Sequence, residues 1–118
     1  MNNKQLIGKK GESLAVKYLE NLGYKIIKKN FRCKMGEIDI IAQDRDFLIF
    51  VEVKTRSNLL WGNPAESIGT KKLSSIIKTL QFYLLINNKS DKSVRVDAIE
   101  IYTSNNESKI NHIKNITF

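Results

Sequence analysis

Three ionisable side chains in this sequence interrupt apolar runs, where charge is costly. Asp39 stands inside Gly36-Glu-Ile-Asp-Ile-Ile-Ala42, and Glu52 and Lys54 closely follow Phe47-Leu-Ile-Phe-Val51. Acids and lysines are seldom buried unless paired or bound to metal, so Glu52 and Lys54 are expected at the mouth where this segment leaves the core. Two carboxylates brought together there could share one divalent cation, Mg2+ or Mn2+, which favour carboxylate, water and phosphate oxygens. The competing reading is a surface ion pair between Glu52 and Lys54 at a strand end. Asp39 weighs against it once the fold puts that residue on the same face.

The elements that must position these groups are two strands and a turn. Residues 37–43 and 47–55 are rich in β-branched and aromatic side chains, and Gln43-Asp-Arg-Asp46 between them is turn-like. With Asp44 and Arg45 as the turn, Asp39 faces Phe50 and Glu37 faces Glu52. Opposed residues share a face, as do residues two apart, so Asp39, Glu52 and Lys54 project together. Asp39 and Glu52 are then diagonal neighbours, with Cβ atoms under about 8 Å apart. A slip of one residue would separate them. Glu37 is a further acid on that face, either an extra ligand or a balance for nearby lysines. The run Phe47 to Val51, apolar at every position, reads as a central strand covered on both faces.

Residues 4–22 read as an amphipathic helix whose stripe is Leu14, Tyr18 and Leu22, widened by Ile7, Ala15 and Leu19. Glu12 lies only about 20° from Leu19 around that helix, away from Lys9, Lys10 and Lys17. Gly8 and Gly11 beside it allow close approach of a backbone or a phosphate. Gly23 ends the helix, and residues 24–30 form a short basic strand. Lys25, Lys28, Lys29, Arg32 and Lys34 cluster there around Phe31, a group suited to neutralising phosphates or to deterring edge pairing.

Leu59, Leu60 and Trp61 in the following loop fold back over the core or offer a dimer contact or stacking surface. Asn63-Pro64 with Glu66 marks a helix start, and the helix, interrupted near Gly69, runs to about Ile86 on a stripe of Leu73, Ile76, Ile77, Leu80 and Leu84. Lys72 flanks that stripe, within reach of the sheet edge and a backbone phosphate. Residues 94–102 form a strand and a last strand ends near Ile116, with His112 facing solvent; this sole histidine excludes a His-based metal cage. The strand, helix, strand passage predicts a right-handed parallel crossover, and the pattern alone gives an α/β fold with a mixed sheet.

Asp39 followed, after a hydrophobic hairpin, by Glu52-Val53-Lys54 resembles the signature of the PD-(D/E)xK nuclease superfamily, which has the restriction-endonuclease-like fold. More narrowly, Gly11-Glu12, Gly23-Tyr24, Asn30, Gly36-Glu37-Ile38-Asp39, Phe50 to Lys54, Arg56, Gly62, Lys72 and Asp97 resemble the YraN-like family of small uncharacterised bacterial proteins, which is similar to archaeal Holliday-junction resolvases. Ile38 departs from the superfamily's proline, and Val96 from a frequent aromatic. The resemblance implies an αβββαβ core, a mixed central sheet flanked by helices, in a single nuclease-like domain over residues 1–118. It adds Glu12 to Asp39 and Glu52 as a metal ligand. It gives Lys54 the task of orienting the attacking water or stabilising charge on the phosphoryl group. Lys72, Arg56, Lys28, Lys29 and Arg32 are then the expected nucleic-acid contacts.

At 118 residues the chain suits one domain, and 42% apolar residues support a globular protein. Lys and Arg number 20 against 12 Asp and Glu, a formal charge of +8, which fits a polyanionic partner or a surface of solvated lysines. The lone Cys33 excludes an internal disulfide and a Cys-based zinc site. No apolar run spans a membrane and Met-Asn-Asn-Lys-Gln is no signal peptide, so a soluble cytoplasmic protein is expected.

The leading expectation is a nuclease dependent on Mg2+ or Mn2+ that acts on DNA, with junctions or other branched structures in scope. The alternative is a non-catalytic nucleic-acid-binding module that retains the nuclease fold. Bare carboxylates beside a phosphate weigh against that module, because they repel it unless metal intervenes. A third reading is a protein-interaction surface at Leu59 to Trp61. A homodimer is expected if both strands of a duplex are cut, since one chain supplies one site.

Overall fold

The computed structural model of the protein describes residues 3–56, 68–104 and 107–117. Helix α1 (Asn3–Asn21) leads into three strands, β1 (Lys25–Cys33), β2 (Gly36–Asp44) and β3 (Phe47–Arg56). Helix α2 (Thr70–Ile86) then leads to β4 (Ser93–Ser104) and β5 (Glu107–Ile113). The strands form one five-stranded sheet in sequence order, β3 and β4 parallel and the other neighbours antiparallel. This is the expected αβββαβ core followed by the expected last strand.

Gly23 stops α1 as predicted. Its φ of +92 lets the N–H of Gly23 bond to the Glu20 carbonyl and that of Tyr24 to the Leu19 carbonyl, a pairing that closes a helix end. The expected helix start at Asn63-Pro64 and the Leu59 to Trp61 surface lie outside the described residues. Helix α2 is described from Thr70, after a Gly69 N-cap that supplies no side-chain bond.

The two helices cover opposite faces of the sheet. Leu48 and Phe50 pack with Ile76, Leu80 and Tyr83 of α2, whereas Ile49 and Val51 pack with Ala15 and Leu19 of α1. Strand β3 therefore has both faces buried from Leu48 to Glu52, as its unbroken apolar run predicts.

The β2–β3 register differs from expectation by two residues. Asp44 pairs with Phe47 and Ile40 with Val51, so the turn is Arg45-Asp46 rather than Asp44-Arg45. Arg45 takes a φ of +57, and the Gln43 amide donates to the Arg45 carbonyl at 3.0 Å, closing the turn from one residue further back. A two-residue shift by itself keeps side chains on their faces, but it replaces the expected Asp39–Phe50 and Glu37–Glu52 oppositions.

A second irregularity was not foreseen. Ile38 packs on the α2 face and Ile40 on the α1 face, although residues two apart on an unbroken strand share a face. The switch occurs at Asp39. On the neighbouring strand, Lys29 pairs with Ile40 and Phe31 with Ile38, while Asn30 between them has a φ of +55.

Candidate active site

Ile40 and Val51 form the last β2–β3 pair before the acids. Beyond it the Val53 N–H donates to Asp39 Oδ2 at 2.8 Å, so a side chain takes the place of a ladder carbonyl. Continuing the alternation of β3 sends Glu52 and Lys54 to the α2 face. Glu52 is only 5% exposed, and Lys72 Nζ from the first turn of α2 stands 3.4 Å from its Oε1.

The electrostatics are those of two crowded acids. Burial, then the negative Asp39, push the Glu52 carboxyl up to about 7 against the pull of Lys72 and Lys54. Burial also raises Asp39, against the stabilising Val53 N–H; Glu37 adds to the rise, and Lys72 and Lys54 oppose it. Like charges this close titrate together, so the pair resists carrying two negative charges without a cation.

Glu12 approaches from the α1 side. A Cβ at Gly11 would collide with the Thr55 side chain, so only glycine lets α1 lie this close to the end of β3. Glu12 is half-buried there, and its carboxyl is raised by burial and by Asp39, with an Asn30 side-chain bond opposing. Among the described residues, however, no three His, Cys, Asp or Glu side chains converge closely enough to hold a metal ion. Asp39 raises both Glu52 and Glu12 by its charge.

The expected nucleic-acid contacts divide into two groups. Lys72 belongs to the acid site, as the partner of Glu52. Arg32 is paired with Glu37 at 3.1 Å across β1 and β2, which makes Glu37 a balance for a cation rather than part of the acid set. Lys28 and Lys29 are exposed on β1, and half-buried Arg56 ends β3, its carbonyl accepting from the Thr103 hydroxyl at 3.4 Å.

His112 does not face solvent. Its side chain is 4% exposed, with Nε2 at 2.8 Å from Asp97 Oδ2 and Nδ1 at 3.1 Å from the Tyr18 hydroxyl. The reason lies on β4: Asp97 is fully buried on the α1 face and must gather donors. Arg95 supplies Nε and a terminal nitrogen, His112 one ring nitrogen, and Asn115 its backbone N–H. Burial would raise the Asp97 carboxyl, but these bonds hold it below the usual carboxylate range.

Glu100, three residues on and so on the opposite face, is also fully buried. Asn111 donates to its Oε1 at 3.0 Å, while Oε2 has no hydrogen-bond partner among the described residues. Both acids are visible in Val94-Arg-Val-Asp-Ala-Ile-Glu-Ile101 as charges inside an apolar strand. That signal could have singled out their burial.

The fold and site define a mixed α/β protein with an acid pair and a lysine just beyond the last β2–β3 pair, beside the central strand's second half. A family model described as uncharacterised protein family UPF0102 matches residues 11–101, and the chain belongs to that family. It is 50% identical over 115 residues to a UPF0102 protein of Clostridioides difficile, covering 98% of both chains. It is 50% identical over 108 residues to one of Persephonella marina, covering 92% of this chain and 90% of the other. A solved structure of Pyrococcus furiosus SfsA in complex with Ca2+ aligns with a TM-score of 0.42 at 17% identity, over 95% of this chain and 64% of that one. Among the described residues, no helix is long and apolar enough to cross a membrane.

Proposed function

We propose that this chain is a metal-dependent nuclease of the cytoplasm that hydrolyses phosphodiester bonds in DNA. The observation that carries the reading is the Asp39 and Glu52 pair, half-buried and buried just beyond the last β2–β3 pair, both raised chiefly by burial and Glu52 also by the charge of Asp39. Such a pair has a standing demand for positive charge, and its ligands are the hard oxygens that Mg2+ or Mn2+ prefers.

Asp39 would use Oδ1, since Oδ2 is held by Val53, and Glu52 would bind once Lys72 moves off it. Glu12 would complete the set by a movement of its side chain. A bound cation supplies polarisation of a phosphoryl oxygen and a water of lowered pKa. Lys54 would orient the attacking water or stabilise charge developing on the phosphoryl group. Lys72, once displaced from Glu52, is free to meet a backbone phosphate. Cutting both strands of a duplex would take a second copy of the chain.

Two observations favour a binding module without hydrolysis: Lys72 already pairs with Glu52, and among the described residues three acids do not converge. Labelled single-stranded, duplex, flapped and four-way-junction DNA, incubated with Mg2+, Mn2+ or EDTA, separates the two. Metal-dependent cutting that is lost in Asp39→Asn and Lys54→Ala establishes the nuclease. Salt-sensitive binding with no cutting by the folded protein establishes the module.

A further inference from the structure

A groove of about 410 Å³ lies between α1 and β1, and of its lining the function above uses only Glu12. One stripe of α1 forms its first wall, with Lys9, Glu12, Ser13, Val16, Lys17 and Glu20; Lys29 and Asn30 of β1 form the second. From Lys9 to Glu20 the stripe is about 16 Å long.

Its chemistry is mixed in an instructive way. Val16 gives an apolar patch, and the aliphatic stems of the lysines can extend it. Asn30 offers an amide with both donors and acceptors, and Ser13 a hydroxyl. Lys9, Lys17 and Lys29 bring three cations against the two acids Glu12 and Glu20. An apolar floor, a few polar groups and a cationic rim are what a nucleotide needs, with its flat base, hydrogen-bonding edge and phosphate. The volume lies near the lower end of pockets for small molecules, about 300–1,000 Å³, which admits one nucleotide unit and not a duplex.

The groove also leads to the acid pair. Asn30 in its wall lies across from Asp39, between the Lys29–Ile40 and Phe31–Ile38 pairs, and Glu12 lines the same groove. Asn30 has its left-handed backbone where β2 switches face at Asp39, so the wall of the groove and the orientation of Asp39 share one irregularity. We infer that the groove between α1 and β1 receives an unpaired nucleotide of a nucleic-acid strand and delivers the adjoining backbone to Asp39 and Glu52. The inference rests on the nucleic-acid reading above.

The test is fluorescence anisotropy of a labelled single strand and of a blunt duplex, titrated in EDTA across a range of KCl concentrations. The triple variant Lys9→Gln, Lys17→Gln, Lys29→Gln is compared with Lys78→Gln, Lys89→Gln, Lys92→Gln, which removes the same charge from exposed positions elsewhere. All six lysines are exposed, so both variants should fold, and their thermal melts check this.

For the single strand, the groove variant should lower the slope of log affinity against log salt by about two. The control variant should change it far less, and the blunt duplex should respond weakly to both. Equal losses in the two variants would mean a general field effect and would overturn the inference. Equal losses on single strand and duplex would overturn the unpaired nucleotide. Failure of the unaltered protein to bind either DNA would instead defeat the nucleic-acid reading itself.

Discussion

Glu52 sets the acid–base behaviour of the site and therefore part of its stability. Its folded-state pKa of about 7 lies above the ordinary 4.5, so ionised Glu52 opposes folding. The cost is absent below about pH 4.5, grows as pH rises, and is complete above about pH 7, where it reaches on the order of 3 kcal/mol. Glu52→Gln should accordingly unfold at higher denaturant than the unaltered protein at pH 8 and at a similar point at pH 4.5. Lys72 loses its partner in that variant, but as a half-exposed cation it costs little. Mn2+ should raise the melting temperature of the unaltered protein at pH 8 and leave Glu52→Gln unmoved, a check that needs no cleavage. Glu100 invites the opposite manipulation. Its unpartnered buried oxygen costs about 1–3 kcal/mol, so Glu100→Met should be as stable as the original or more so in chemical denaturation. At this scale the sequence was partly legible. Asp39, Glu52 and Lys54 announce themselves by interrupting apolar runs, whereas the buried side of His112 is invisible, because its partners Tyr18 and Asp97 come from distant segments.

Among the elements, the contact between α1 and β3 is the most exposed to change. Gly11→Ala places a methyl against Thr55 and must lift α1, carrying Glu12 from its place, at a cost of about 1–3 kcal/mol. Adding Thr55→Ala should return most of that loss, so a double-mutant cycle read by denaturant melts should show strong coupling. The strands and helices were legible because β-branched runs, turn residues and the Gly23 stop agree with one another. The β2–β3 turn was not, since Asp44-Arg45 and Arg45-Asp46 offer much the same residues. The face switch at Asp39 was hidden as well, because periodicity supposes an unbroken strand.

Across the whole molecule, the Asp97 cluster is the clasp. It joins β4 to α1 through His112 and Tyr18, to the start of β1 through Arg95 and Tyr24, and to the segment after β5 through Asn115. The Ile116 N–H, which bonds to the Val96 carbonyl at 2.8 Å, finishes that attachment. Asp97→Ala leaves Arg95 uncompensated and should cost about 3–5 kcal/mol, with amide exchange accelerated first along β5. At the other edge, β1 presents the exposed Lys25, Lys28 and Lys29, a charged margin that discourages pairing with a second sheet. The formal charge of +8 was plain in composition, but how the lysines divide between that margin, the groove and the acid pair is a property of the fold.

The bond from the Val53 N–H to Asp39 Oδ2 gives the protein a spectroscopic reporter of its own. A main-chain proton held by a carboxylate registers the charge of that carboxylate in its chemical shift and its rate of exchange with solvent. One resonance in a nitrogen–proton correlation spectrum would therefore follow the protonation of Asp39 and the arrival of a cation. Neither a substrate nor an added label would be needed.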